Sequence, residues 1–301
     1  MTAGPLTIGV DIGGSKIAAA VVDGDGRVLA RADRTTPERT VAPQVVEDAI
    51  LDAVTTLRGA YDVGAVGVGA AGFVDAARRR VMFAPHLSWR DEPLGERLAA
   101  SLGMPVFIDN DANAAIWAEH RFGAARDARD VVLVTLGTGI GGALLIDGRV
   151  YRGHGGMAGE FGHTQVVPDG RPCECGRTGC WEQYCSGKAL ARFAAEAGRD
   201  LAGPALTAAA HDGDIVARGA FAEVGRWLGV GLANLVASLD PALLVVGGGV
   251  SAAGDLLLAP ARVALAGSLV AADHREIPPV LAAGLGPDAG VIGAADLART
   301  R

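Results

Sequence analysis

Short apolar runs and turn residues alternate along the chain in a pattern that occurs twice. Residues 6–10, LTIGV, read as a buried strand and DIGGSK as a tight turn after it; Ile17 to Val22 then form a second strand, DGDG at 23–26 a turn, and Arg27 to Ala30 a third strand. The order returns in VVLVTL at 131–136, the turn GTGIGG, the run ALLI, Asp147-Gly148 and RVY. Copies starting near residues 6 and 131 are too far apart for a solenoid and point to an internal duplication.

Between the copies, Val41 to Arg58 has helical apolar spacing, AVGVGA is a short strand, and PVFI at 105–108 is another before a helix starting near Asp111 or Ala112. After the second copy, residues 153–187 are rich in Cys and Gly and weakly periodic. A long helix follows from about Asp214 to Leu239, then the strand ALLVVGG at 242–248 and a helix near 254–267. Strands alternating with helices predict α/β architecture. The repeat places a first α/β domain at 1–120 and a second at 121–285, with metal-binding segment 160–185 and a last helix, about 286–301, packing back on the first.

Half of the 301 residues are apolar, enough for a substantial core, so intrinsic disorder is excluded. The 27 Lys and Arg against 34 Asp and Glu give a charge of −7 with no dense basic tract, which argues against nucleic acid or an anionic membrane as partner. The N-terminal MTAGPLTIGVDIGG lacks the features of a secretion signal, and no apolar run reaches the length of a membrane span, so a cytoplasmic protein is expected.

With 44 glycines, chance motifs need structural support. GVGAAG (Gly67–Gly72) and GTGIGG (Gly137–Gly142) both match G-x-G-x-x-G, but neither leads into a helix as a dinucleotide site requires. DIGGSK is no Walker loop, because Ser15 stands where Lys is needed. The two glycine turns read either as ordinary hairpins or as paired phosphate cradles, with Ser15, Lys16 and Thr138 as further donors and Asp11 placed to hold Mg2+ directly or through water. In IDNDANAA, Asn110 and Asp111 follow a strand and open a helix; they can cap it or project from the sheet edge, and Asp109, Asn110 and Asp111 in a row exceed what one cap needs.

All four cysteines lie within residues 173–185, a poor disulfide framework and a good ligand cluster. His163, Cys173, Cys175 and Cys180 make a closed zinc set, with Cys185 a rival fourth ligand. Arg171, Arg177 and Lys188 are offset by Glu160, Asp169, Glu174 and Glu182, so the cluster reads as structural Zn2+ and not as a nucleic-acid ribbon, with a redox or incidental cysteine group as the alternative.

DIGGSK, GTGIGG, VVGGGVS and the run from Glu160 to Glu182 together resemble the actin-like, hexokinase-like phosphotransferases, and more narrowly the ROK family of sugar kinases. That resemblance implies a duplicated two-domain fold around a cleft. It makes Asp11, Gly13, Gly14, Ser15 and Lys16 the first phosphate motif, Gly137, Thr138 and Gly139 the second, and Gly247, Gly248 and Gly249 the adenosine motif. It further implies that Gly72, Asn110, Asp111, Glu160, His163 and Glu182 bind the sugar, that Asp111 is the catalytic base, and that His163 is the fourth metal ligand. APHLSWRDEPL at 84–94 resembles the form found in members that phosphorylate glucose. The expected activity is transfer of the ATP γ-phosphoryl group to the 6-hydroxyl of glucose with Mg2+, in a homodimer or homotetramer. Mannose, fructose or N-acetylmannosamine as acceptor, polyphosphate as donor, and a sugar-sensing regulator are the alternatives. Because DIGGSK begins at residue 11, no helix-turn-helix domain is expected ahead of it.

Overall fold

The computed structural model describes residues 5–85 and 87–300. Residues 1–4 and 301, at the ends of the expected domains, and His86, within APHLSWRDEPL, lie outside them. In chain order the elements are β1 (Thr7–Ile12), β2 (Lys16–Val22), β3 (Val28–Thr35), α1 (Pro43–Arg58), β4 (Ala65–Ala70), β5 (Phe73–Val74), β6 (Val81–Phe83), β7 (Arg90–Glu92), α2 (Leu94–Leu102), β8 (Val106–Asn110) and α3 (Asp111–Phe122). The chain continues through β9 (Val131–Leu136), β10 (Ile140–Ile146), β11 (Arg149–Tyr151), α4 (Gly187–Glu196), α5 (Gly203–His211), α6 (Ile215–Leu239), β12 (Leu243–Gly247), α7 (Asp255–Ser268), β13 (Val280–Ala282) and α8 (Ala289–Arg299).

Two compact units result. The first comprises Met1–Asp127, Gly148–Ala158 and Pro287–Arg301, the second Ala128–Asp147 and Gly159–Gly286. In the first unit the sheet order is β3-β2-β1-β4-β8, with β1 antiparallel to β2 and parallel to β4, and β4 parallel to β8. The second repeats this arrangement: β10, β9, β12 and β13 are successive neighbours, β9 antiparallel to β10 and parallel to β12. The duplicated pattern of the sequence is therefore a duplicated sheet.

Central strands are buried along nearly their whole length, as the apolar runs TIGVDI, AVGVGA and VVLVTL require when helices cover a sheet. Helix α8 lies against β1 and β4 so closely that a Cβ on Gly9 would strike the Val291 carbonyl and one on Gly67 the Ala294 carbonyl. Part of the glycine content thus serves backbone-to-backbone packing and not turns. Helix α1 opens on Pro43 at its first position and buries Val46, Ile50, Ala53, Val54 and Leu57 on one face. Asp214 caps α6, its Oδ1 accepting from the Ala217 N–H at 2.8 Å.

Three features differ from the sequence expectation. Strand β3 runs to Thr35, because its exposed alternation VLARADRT hides the edge pairing that defines it. Helix α5, GPALTAAAH, carries too little contrast between faces to be read from periodicity. The small antiparallel sheet β5-β6-β7 consists of strands only two or three residues long.

Candidate functional site

In the first unit, sheet register gathers the candidate residues at the carboxyl ends of parallel strands, where open α/β sheets present side chains to ligands. Asp11 on β1 pairs with Gly69 on β4, which pairs with Asp109 on β8; one step further Ile12, Ala70 and Asn110 align. The turn Gly13-Gly14-Ser15 leaves this edge and is closed by the Gly13 N–H donating to the Lys16 carbonyl at 2.9 Å. Thr36 braces it, its hydroxyl donating to the Gly13 carbonyl at 2.8 Å and its N–H to the Ser15 carbonyl at 3.1 Å. Gly14, Ser15 and Lys16 are exposed, and the Lys16 ammonium pairs with Asp33 at 2.8 Å.

Asn110 caps α3, its Oδ1 accepting from the N–H groups of Ala112 at 2.9 Å and Asn113 at 3.1 Å. Its Nδ2 donates to the Gly72 carbonyl at 3.1 Å, which ties the helix start to the GAAGFVD loop. Gly72 has no room for a side chain, since a Cβ would lie 2.5 Å from the Phe83 carbonyl oxygen. Asp111 begins α3 and its Oδ1 accepts from the Ala112 N–H at 2.9 Å.

Asp11 and Asp111 keep a little surface open, but protein surrounds their carboxyls. Burial pushes Asp111 up to about 6, against hydrogen bonds that favour its charged form. Burial, and then the neighbouring Asp111 charge, push Asp11 up to about 7, with Lys16 acting the other way. A Cβ on Gly290, in the first turn of α8, would collide with the Asp11 carboxylate, so that helix start seats the acid at its positive end. Nothing in the local sequence announces this contact, which spans almost the whole chain.

In the second unit the Gly137-Thr138-Gly139 turn joins β9 to β10, and Gly247 on β12 pairs with Thr135 on β9, so Gly247, Gly248 and Gly249 lie at the same sheet edge as that turn. The Gly187 N–H donates to the Gly137 carbonyl at 2.8 Å, fastening the start of α4 to the turn. Glu160 precedes the short helical turn Phe161–His163.

The side-chain ligand atoms of His163, Cys173, Cys175 and Cys180 all lie within 4.8 Å of one another. Cys175 Sγ is 3.5 Å from Cys180 Sγ, and His163 Nδ1 is 3.7 Å from Cys173 Sγ. Left-handed Gly176 (φ 85°) and Gly179 (φ 74°) make the knuckle between thiols. Trp181 anchors the segment, its indole N–H donating to the Trp227 carbonyl of α6 at 2.8 Å. Cys185 is fully buried apart from this set, with its thiol held well above the usual range by burial. Three thiols and one imidazole are the donor set of a closed structural zinc site.

The sequence profile of the ROK family matches residues 7–301. The chain belongs to the ROK family. Among ROK relatives, the glucokinase of Streptomyces coelicolor is 46% identical over 98% of each chain. A crystal structure of a ROK family glucokinase from Streptomyces griseus in complex with glucose and AMPPNP is 46% identical, covers 98% of this chain and 100% of its own, and superposes with a TM-score of 0.90. The ROK hexokinase of Thermus thermophilus is 36% identical over 98% of both chains, with a TM-score of 0.80. Among the described residues of this ROK chain no helix is long and apolar enough to cross a membrane.

Proposed function

We propose that the protein is an ATP-dependent glucokinase that forms glucose 6-phosphate and ADP. The observation carrying this reading is full-length identity of 46% to Streptomyces glucokinases, one of them bound to glucose and an ATP analogue.

In this reading Asn110 and Asp111 meet the sugar at the end of β8, with Gly72 contributing backbone, and Glu160, His163 and Glu182 bind further hydroxyls. Carboxylates and amides suit that task because each offers several directed hydrogen-bonding positions. Asp111 accepts the proton of the 6-hydroxyl as its oxygen bonds to the γ-phosphorus and the bond to the ADP oxygen breaks. Phosphoryl transfer has a loose transition state, so positioning and charge neutralisation outweigh nucleophile strength. A carboxyl poised at about 6 is ionised at neutral pH yet basic enough to take that proton.

The Gly13 and Gly137 N–H groups close their own turns, and the N–H groups that follow them in Gly14–Lys16 and Thr138–Gly139 would cradle phosphates, Gly247–Gly249 would face the adenosine, and Asp11 would hold Mg2+ directly or through water. Bound Mg2+ supplies charge neutralisation for the transferring phosphoryl group. His163, Cys173, Cys175 and Cys180 would hold Zn2+, which supplies a rigid brace for the imidazole and no open position for water. The enzyme would work in the cytoplasm with its ATP, as a homodimer or homotetramer.

Asp111→Asn tests the base assignment. Coupled ADP release with glucose, ATP and Mg2+ should show kcat reduced by about 10² to 10⁴-fold with glucose still binding. Near-native turnover by the variant would remove Asp111 from the role.

A further inference from the structure

The first unit buries an ion cluster just behind the proposed sugar-binding turn. Asp109, the penultimate residue of β8, is 4% exposed. Its Oδ1 accepts from the Asn110 N–H and the Asn113 Nδ2, each at 3.0 Å. Its Oδ2 accepts from Arg152 Nε at 3.0 Å, Arg152 Nη2 at 2.5 Å and Arg78 Nη1 at 3.4 Å. Arg78 sits in a left-handed turn (φ 57°) between β5 and β6, with its side chain 9% exposed, and Arg152 follows β11. Three segments remote in sequence therefore converge on one carboxylate. Gly156 draws two of them together, since a Cβ there would strike the Val74 carbonyl.

Buried ion clusters contribute little net stability, because desolvation offsets the attraction. This one does fix geometry. Asp109 holds the backbone N–H of Asn110, the cap of α3, and the side chain of Asn113 in the first turn of that helix, and Asn110 in turn holds Gly72. With both arginines gripping it, the carboxylate has no freedom to rotate, and neither has the peptide that carries Asn110 into Asp111.

We propose that Arg152 and Arg78 are positioning residues, which act through Asp109 to hold the Asn110–Asp111 turn in the orientation that meets the sugar. The proposal rests on the reading that this turn binds sugar. Arg152, bidentate and the shorter contact, carries the larger share.

Steady-state kinetics and glucose calorimetry on full-length Arg152→Ala, Arg152→Lys and Arg152→Ala/Asp109→Asn, beside Asp111→Asn, test it. Arg152→Ala should raise the glucose KM and Kd about tenfold and lower kcat about tenfold, with the ATP KM within about twofold, because a small misplacement of a reacting group is costly. Arg152→Lys should recover part of the loss. Adding Asp109→Asn should cost little more, because both changes break the same link. A glucose Kd within about twofold of wild type for Arg152→Ala, or an ATP KM rising in step with the glucose KM, would overturn the proposal. If Arg152→Ala does not fold, the double variant, in which an amide that Arg78 can still bond replaces the carboxylate that lost Arg152, decides by the same criterion. Failure of the base assignment shows separately, as turnover retained by Asp111→Asn.

Discussion

The Glu182 carboxylate occupies the space that a side chain at Gly139 would need. Its Oε2 lies 2.4 Å from where the Gly139 Cβ would fall, while its Oε1 accepts from the Cys173 thiol at 3.0 Å. One carboxylate therefore stands between the cysteine cluster and the GTGIGG turn. A side chain at Gly139 would therefore push the Glu182 carboxylate aside, whereas a Cβ on Gly137 meets nothing within 4 Å.

These two glycines should fail differently. Gly139→Ala displaces Glu182 and should raise the glucose KM by about tenfold or more. Gly137→Ala leaves the packing intact and places a methyl where a phosphate would approach, so it should raise the ATP KM with the glucose KM within about twofold. Steady-state titration of each substrate separates the outcomes, and identical profiles for the two variants would sink the distinction.

Activity should fall on the acid side as Asp111 takes up a proton. With its carboxyl pushed to about 6 in the free protein, the profile of kcat/KM for glucose should show an acid limb in the region of about pH 5 to 6, an ordinary aspartate giving one near 4. An undiminished kcat/KM at about pH 4.5 would contradict that assignment.

Stability without ligands should move the opposite way. Because the folded carboxyl of Asp111 is raised from 3.8 to about 6, its favourable contribution is present below about 3.8 and lost as pH rises through about 6. Asp111→Asn, which cannot ionise, should be more stable than wild type at pH 8, by on the order of 3 kcal/mol, with the gap closing toward pH 4. Thermal melts across that range check the sign, and a variant less stable at pH 8 would refute it.

Metal removal should loosen the segment that carries His163 and Glu182. Burial holds the Cys173 and Cys180 thiols above their usual range, so without a cation these two stay protonated and the segment loses its cross-link. Cys175→Ser should lower both the bound zinc and the glucose affinity, whereas Cys185→Ala should retain a full equivalent of metal. Elemental analysis with calorimetry reads both; unchanged glucose affinity in demonstrably metal-free protein would end the brace model.

Much of the fold is legible because its signals are local. The Asp147-Gly148 turn is written in two residues that take φ 52° and 73°, and the buried strands β1, β4 and β9 are mostly apolar runs. The donor set at 163–180 is equally local. What escaped is long-range: Arg78, Asp109 and Arg152 share no spacing rule, the seat of Asp11 on Gly290 joins opposite ends of the chain, and nothing near Gly139 names Glu182 as its neighbour. Asn110 illustrates a third case, since its cap and its reach to Gly72 use different atoms of one amide, so the capping residue also ties a second loop to the site.

Coupled ADP release with ATP and Mg2+ is the deciding measurement, run against glucose, mannose, fructose, glucosamine, N-acetylglucosamine and N-acetylmannosamine, with polyphosphate as a parallel donor and Asp111→Asn as control. A glucokinase should show a strong preference for glucose with ATP that disappears in the variant. Preferred turnover of another sugar would contradict the glucokinase assignment, and saturable sugar binding with no turnover of any would contradict the kinase reading itself.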